Sequence, residues 1–308
     1  MTAVMQLVEQ GKLHLEDELC EYLPEFEHMY VKDTLAKNKI TIEHLMSMRG
    51  GFNYDLNAPG IRAVIEKNPN ASLADVIKGL ATQPLDFEPG THFEYSLCHD
   101  VLGRVIEVVS GMSYGAYMKK HLFEPLGMKH TGYSVEEALP YLTEQYISDG
   151  FPHKRKAIGA YNQFRLTPAY ESGGAGLIAT ADDYGRFVEA MCNYGVSASG
   201  TRILSKESID TMRFRKLEGV PYEDFRHKVS IHGYDYGLGV RTMVNKTISG
   251  SKSPVGEFGW DGAAGAYMLV DVENQIGIFY AQEIFAKSSM AQEIHPRIRN
   301  LVYEALLR

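Results

Sequence analysis

FEYSLCHDVLGRVIEVVSG, residues 93–111, sets a turn against a strongly apolar helix. Glu88-Pro89-Gly90 announces the turn. Leu97, Val101, Leu102, Val105, Ile106 and Val109 then recur at helical spacing until Gly111 stops the pattern. Tyr95 and Ser96 stand at the mouth of that helix, where a side chain is fixed in position and can still face a cleft. On the local pattern alone, a half-buried aromatic at a helix entrance outweighs a site residue as the reading of Tyr95. The rest of the chain has to decide between them.

On the N-terminal side of this helix, short helical faces predominate. Val4, Met5, Leu7 and Val8 form one that ends at Gly11 and has no capping residue ahead of it. Leu15, Leu19, Tyr22 and Leu23 form another, closed by Pro24. The segment Ile40–Met46 runs into Arg49-Gly50-Gly51. Ser72 caps a helix through Gln83 with Asp75 as capping-box partner, and Ser113 opens one carrying Tyr114, Tyr117, Met118 and Leu122. Residues 131–166 show no period and read as a long irregular excursion of the kind that walls binding sites. Ser172-Gly173-Gly174-Ala175-Gly176 lacks a phosphate-loop pattern, so close packing is the better reading of its glycines. Thr180 and Ser205 cap two further helices. Period two appears only late, at Tyr236–Val244, Glu257–Trp260, Ala266–Val272 and Gln275–Gln282, with Glu273-Asn274 as the last tight turn and a final helix over 291–307. The chain is therefore expected to be α+β, a single unit over 1–308 with a mainly helical region at 1–215 and an antiparallel sheet with a C-terminal helix at 216–308.

Composition narrows the function. Apolar residues make up 44% and charged residues 23%, values of a soluble globular protein with a sizeable core. A net charge of −8, with no basic run longer than Lys154-Arg155-Lys156, argues against nucleic acid or an anionic membrane as partner. Cys20, Cys98 and Cys192 are too few and scattered for a disulfide framework. With no signal-like start and no membrane-length apolar run, a reducing, cytoplasmic setting is expected. The eleven histidines form no HExxH and no zinc-spaced cluster, so neither a metal nor a cofactor is expected. Cys98 and His99 would point apart on a helix, which spoils them as nucleophile and base, and GxSxG is absent.

Taken in order, Val4–Phe26, Ile40–Met48, Glu88–Gly111, Phe123–Gly132, Ser172–Phe187 and Glu257–Asp271 resemble consecutive landmarks of the penicillin-recognising serine hydrolases. These include class C β-lactamases, D,D-peptidases and family VIII-like esterases. The resemblance implies a β-lactamase/penicillin-binding-protein-like fold and acyl-enzyme chemistry on a small ester, β-lactam or D-amino-acid peptide. It also implies three elements: Ser-x-x-Lys opening a buried helix, Tyr-x-Asn on a loop, and a Lys-Thr-Gly-like triplet on an edge strand. Tyr95-Ser96-Leu97 matches the second, with Leu97 where asparagine is usual, and makes Tyr95 the candidate catalytic residue. Trp260-Asp261-Gly262 matches the third and leaves the amide of Ala263 as the strand's oxyanion donor. Ser96, Leu97, Trp260, Asp261, Gly262 and Ala263 are thus the candidate substrate-binding residues.

The first element is missing at its family position, so the chain is expected to be truncated there and inactive as given. Loss of the family's N-terminal strands is expected to leave an unpaired sheet edge and an uncovered helix face at Val4, Leu7 and Val8, both open to self-association. Ser249-Gly250-Ser251-Lys252 matches Ser-x-x-Lys by spacing, but it lies in a Gly/Ser/Pro loop and reads as chance. The rival expectation is a non-catalytic relative that binds or interacts. Leu97 and Trp260 put apolar surface where the family holds amides and carboxylates, which favours esters.

Overall fold

A computed structural model describes residues 1–148, 155–159, 164–286 and 290–306. The chain divides into two compact units. The first comprises Met1–Pro125, Asn162–Leu177 and Leu217–Lys228, and the second Leu126–Tyr161, Ile178–Lys216 and Val229–Arg308.

In the first unit, helices α1 (Thr2–Glu9), α2 (Leu73–Leu80) and the short helix Ile42–Met46 pack against α3 (Cys98–Ser110). The apolar stripe read in the sequence is the reason: Cys98, Val101, Leu102, Val105 and Ile106 of α3 are all buried. Gly111 ends α3 in the left-handed conformation, φ 69°, which a side chain would disfavour. Ser72 caps α2 and forms the expected reciprocal bonds with Asp75. Val4 and Leu7 have no exposure at all and Val8 is half-buried, so most of the helix face expected to be uncovered is packed. Two helices that the sequence reading did not name, Pro59–Lys67 and Val220–Val229, also occur. Phe225 of the latter is fully buried and meets Phe93 edge-on at 5.4 Å.

The second unit is built on a five-stranded antiparallel sheet of consecutive strands, β1 (Tyr234–Tyr236), β2 (Arg241–Met243), β3 (Phe258–Asp261), β4 (Tyr267–Asp271) and β5 (Ile276–Tyr280). Its two faces follow the alternation of side chains. Tyr184 of α4 (Ala181–Cys192) stacks on Phe279 at 4.5 Å, and a Cβ on Gly277 would lie 2.7 Å from Val188. On the opposite face Tyr303, Ile298 and Val302 of α5 (His295–Leu306) pack against Tyr267, Leu269, Ile276 and Ile278. Among the described residues no strand pairs with the outer edge of β5. The expected single strand over 236–244 is a hairpin, because Gly239 takes φ 78° and the Gly237 amide bonds back to the Val240 carbonyl at 2.7 Å. Turn glycines alternating with apolar residues imitate a strand's period. The excursion read at 131–166 contains strands Gln145–Ser148 and Arg155–Gly159, and the former pairs in parallel with Ile284–Ala286. They are short and carry no clear alternation, so the pairing comes from a segment far along the chain.

Candidate functional site

The segment that carries Tyr95 is held from both sides within the first unit. The Glu94 amide donates to the Met48 carbonyl at 3.0 Å, and the Leu97 amide to the Asn53 carbonyl at 3.2 Å. From helix Val220–Val229, Asp224 accepts the Phe93 amide at 3.1 Å and pairs with His92 at 2.8 Å. Lys228 donates to the Phe93 carbonyl at 2.9 Å and pairs with Glu94. Met48 itself sits at φ 58°, a conformation that persists in a non-glycine residue only where its surroundings enforce it. Tyr95 is half-buried, with its ring stacked on Tyr54 at 5.8 Å and 6° between planes. Phe164 meets Tyr54 edge-on at 5.7 Å. Burial, followed by the Asp100 charge, pushes the Tyr54 phenol well above its ordinary range, so it stays neutral.

Ser96 and Leu97 are 1% and 2% exposed. The Ser96 hydroxyl is 3.1 Å from Cys98 Sγ and 3.7 Å from Met48 Sδ. Both residues are therefore enclosed, and neither side chain is presented to a substrate as the sequence reading expected. Burial pushes the Cys98 thiol up to about 11, which makes it inert, in keeping with its rejection as a nucleophile.

Below this loop lies a residue the sequence reading passed over. Asp100, in the first turn of α3, has no exposure, and its Oδ1 accepts the Tyr170 hydroxyl at 2.7 Å, the Ser172 hydroxyl at 2.6 Å and the Gly173 amide at 3.1 Å. Burial raises its pKa against these donors. The glycines of Ser172–Gly176 are there for close packing, as read: a Cβ on Gly173 would lie 2.3 Å from the His99 carbonyl oxygen. An aspartate in the first turn, next to the buried stripe of this helix, was the available signal for this node.

The third element lies in the second unit. Trp260 is half-buried and meets Tyr236 edge-on at 5.1 Å. Asp261 pairs in register with Tyr267 and so points to the α5 face, opposite to Trp260. There it lies 3.4 Å from Arg241 Nε and 3.3 Å from His295 Nδ1. Burial works against its charge, but Arg241 and then His295 hold its carboxyl below the usual range. The Gly262 amide closes a turn onto the Ala266 carbonyl at 2.7 Å. Ala263 is exposed, and its amide makes no hydrogen bond among the described residues. Ser249 and Lys252 have different partners: Arg299 donates to the Ser249 hydroxyl at 3.2 Å, and Lys252 pairs with Glu304 at 2.9 Å. Among the described residues no group of His, Cys, Asp and Glu is placed to hold a metal, and no helix is long and apolar enough to cross a membrane.

The Beta-lactamase family profile matches residues 1–302. The chain belongs to the beta-lactamase family. Within and around it, Esterase EstB of Burkholderia gladioli is 29% identical over 87% of this chain and 70% of its own length. Protein Rv1367c of Mycobacterium tuberculosis is 28% identical over 91% of this chain and 73% of its own. Among solved structures, EstCE1, a hydrolase with promiscuous acyltransferase activity, superposes with a TM-score of 0.79 at 25% identity, covering 98% of this chain and 81% of the other. The α+β fold read from the sequence is thus the fold of beta-lactamase family proteins.

Proposed function

We propose that the chain belongs to an acyl-transferring serine hydrolase acting on small esters, in which Tyr95 moves the proton and the Ala263 amide holds the oxyanion. The observation that carries this is the exposed Ala263, whose amide makes no hydrogen bond among the described residues, just past the end of the strand that carries the apolar Trp260. A relative named as an esterase supports the ester, and one named as a hydrolase with promiscuous acyltransferase activity supports acyl transfer. The family's Ser-x-x-Lys occurs in the 308 residues only at 249–252, where both side chains are otherwise engaged. On this reading the 308 residues alone have no turnover, since losing the serine removes on the order of a million-fold in rate. That same absence favours the second reading, a relative that binds without catalysis. The outer edge of β5 would then serve self-association in either case.

Purified chain is assayed with p-nitrophenyl acetate and a chromogenic cephalosporin. No hydrolysis is expected, and turnover that disappears in Ser249→Ala would overturn the assignment. Joined to an upstream segment carrying Ser-x-x-Lys, the protein should hydrolyse the ester. Tyr95→Phe should then lower kcat by about 10²- to 10⁴-fold with little change in Tm. Near-unchanged kcat would leave Tyr95 a packing residue, and failure of the joined protein to turn over either substrate would select the binding reading.

A further inference from the structure

The carboxylate at position 261 raises a problem that the proposed function does not solve. An ionised group two residues before an oxyanion donor opposes negative charge there, yet Asp261, its side chain 13% exposed, is held in its charged form. Its partners explain why it is tolerated. Arg241 is 1% exposed and lies between the Tyr234 and Tyr267 rings at 5.1 and 5.0 Å. Its Nη2 reaches Asp261 Oδ1 at 3.4 Å and the Met268 carbonyl at 3.2 Å. His295, 2% exposed and stacked on Tyr267 at 4.7 Å, lies 3.3 Å from Asp261 through Nδ1 and 3.0 Å from the Gly265 carbonyl through Nε2. A carbonyl can only accept, so Nε2 carries the proton of that bond.

Asp261 and Gly265 are the two ends of the turn that presents Ala263, and one buried ring touches both. The turn is also tied across itself, Gly265 amide to Gly262 carbonyl at 2.9 Å, and the Ile284 amide donates to the Ala264 carbonyl at 2.9 Å. We infer that Asp261 is a positioning residue: with Arg241 and His295 it staples the 261–265 turn from beneath and so fixes the backbone that presents the Ala263 amide. This rests on the proposed role of Ala263 as oxyanion donor. A donor that must not reorganise as charge develops needs such support beneath it. Strand alternation keeps the carboxylate on the far side of the sheet from Trp260, and the Arg241 guanidinium and the His295 ring face it there.

The test uses the full chain, isotopically labelled, with Asp261→Asn and His295→Gln as variants. Asparagine keeps the shape and removes the charge. Glutamine keeps a donor for the Gly265 carbonyl and loses the partner of Asp261. Hydrogen exchange at the Gly262 and Gly265 amides is expected to accelerate about tenfold or more in Asp261→Asn, and less in His295→Gln, while Leu269 and Val270 in the middle of β4 keep their protection. Unchanged exchange at the turn, or equal acceleration across the sheet, would overturn the staple. The second readout is the Ala263 amide resonance during titration with phenylphosphonate, an oxyanion mimic. Weaker binding in Asp261→Asn is expected even though a negative charge has been removed, and tighter binding would show that Asp261 acts by its charge and not by position. If the parent's Ala263 resonance does not respond at all, the oxyanion role falls, and the exchange rates still decide the staple.

Discussion

Replacing Asp100 separates two opposing terms that the structure places on a single side chain. Its Oδ1 is the shared acceptor for Tyr170, Ser172 and the Gly173 amide. Asp100→Ala strands these donors in the core at about 1–3 kcal/mol each, partly relieved by no longer burying a charge, for a net loss of about 4 kcal/mol. Asp100→Asn keeps an acceptor in the same place. Charge-assisted bonds become neutral ones, which loses about 1 kcal/mol apiece. Against that stands the relief of desolvation, and the raised pKa says that for this carboxyl desolvation outweighs the donors. A neutral isostere is therefore expected to lie within about 1 kcal/mol of the parent. Urea unfolding followed by circular dichroism at 222 nm measures both variants. The sign with pH is fixed as well. A carboxyl whose folded pKa is raised contributes its full stability below the unfolded value, and that contribution is lost as pH rises through the folded one. The Asn variant should thus gain on the parent as pH rises from about 4. An Asn variant as unstable as Ala, or one that gains on acidification, would refute the reasoning.

Glycine replacements give a second contrast: Gly173→Ala, whose Cβ would be 2.3 Å from a backbone oxygen, should lose more than about 2 kcal/mol, while Gly185→Ala, on α4 with open space around it, should gain about 1 kcal/mol, both read from Tm. His44 supplies a third prediction. Burial, followed by Arg49, holds its pKa at about 4, and its Nδ1 accepts the Thr41 amide at 3.3 Å, a bond only the neutral ring can make. The unfolded chain binds this proton first, so stability falls as pH drops from about 6.5 to about 4, by about 2 kcal/mol after allowance for partial exposure. His44→Gln, which keeps a capping acceptor, should flatten that part of the stability curve, and an unchanged curve would remove His44 as its source.

The residues by themselves determined the helices with strong caps and stripes, because those signals are local. Ser72 with Asp75 and the apolar face of Cys98–Ser110 read the same in sequence and in space. The ordered landmarks likewise pointed to the beta-lactamase family over residues 1–302. Tertiary structure alone decided the surroundings of Tyr95 and Ala263. Lys228 reaches Phe93 and Glu94 from more than a hundred residues away, and no local period encodes that meeting. In sequence Asp100 is one of several polar residues of its helix, and only the fold brings Tyr170 and Ser172 to converge on it. Asp261 read as a substrate contact because a motif gives adjacency along the chain and not direction. The pleat turns it away from Trp260, and Arg241, brought from another strand, pairs with its charge while His295, brought from the last helix, lies against it. Ion pairing of this kind depends on distances of a few ångströms, and only the folded chain sets those distances.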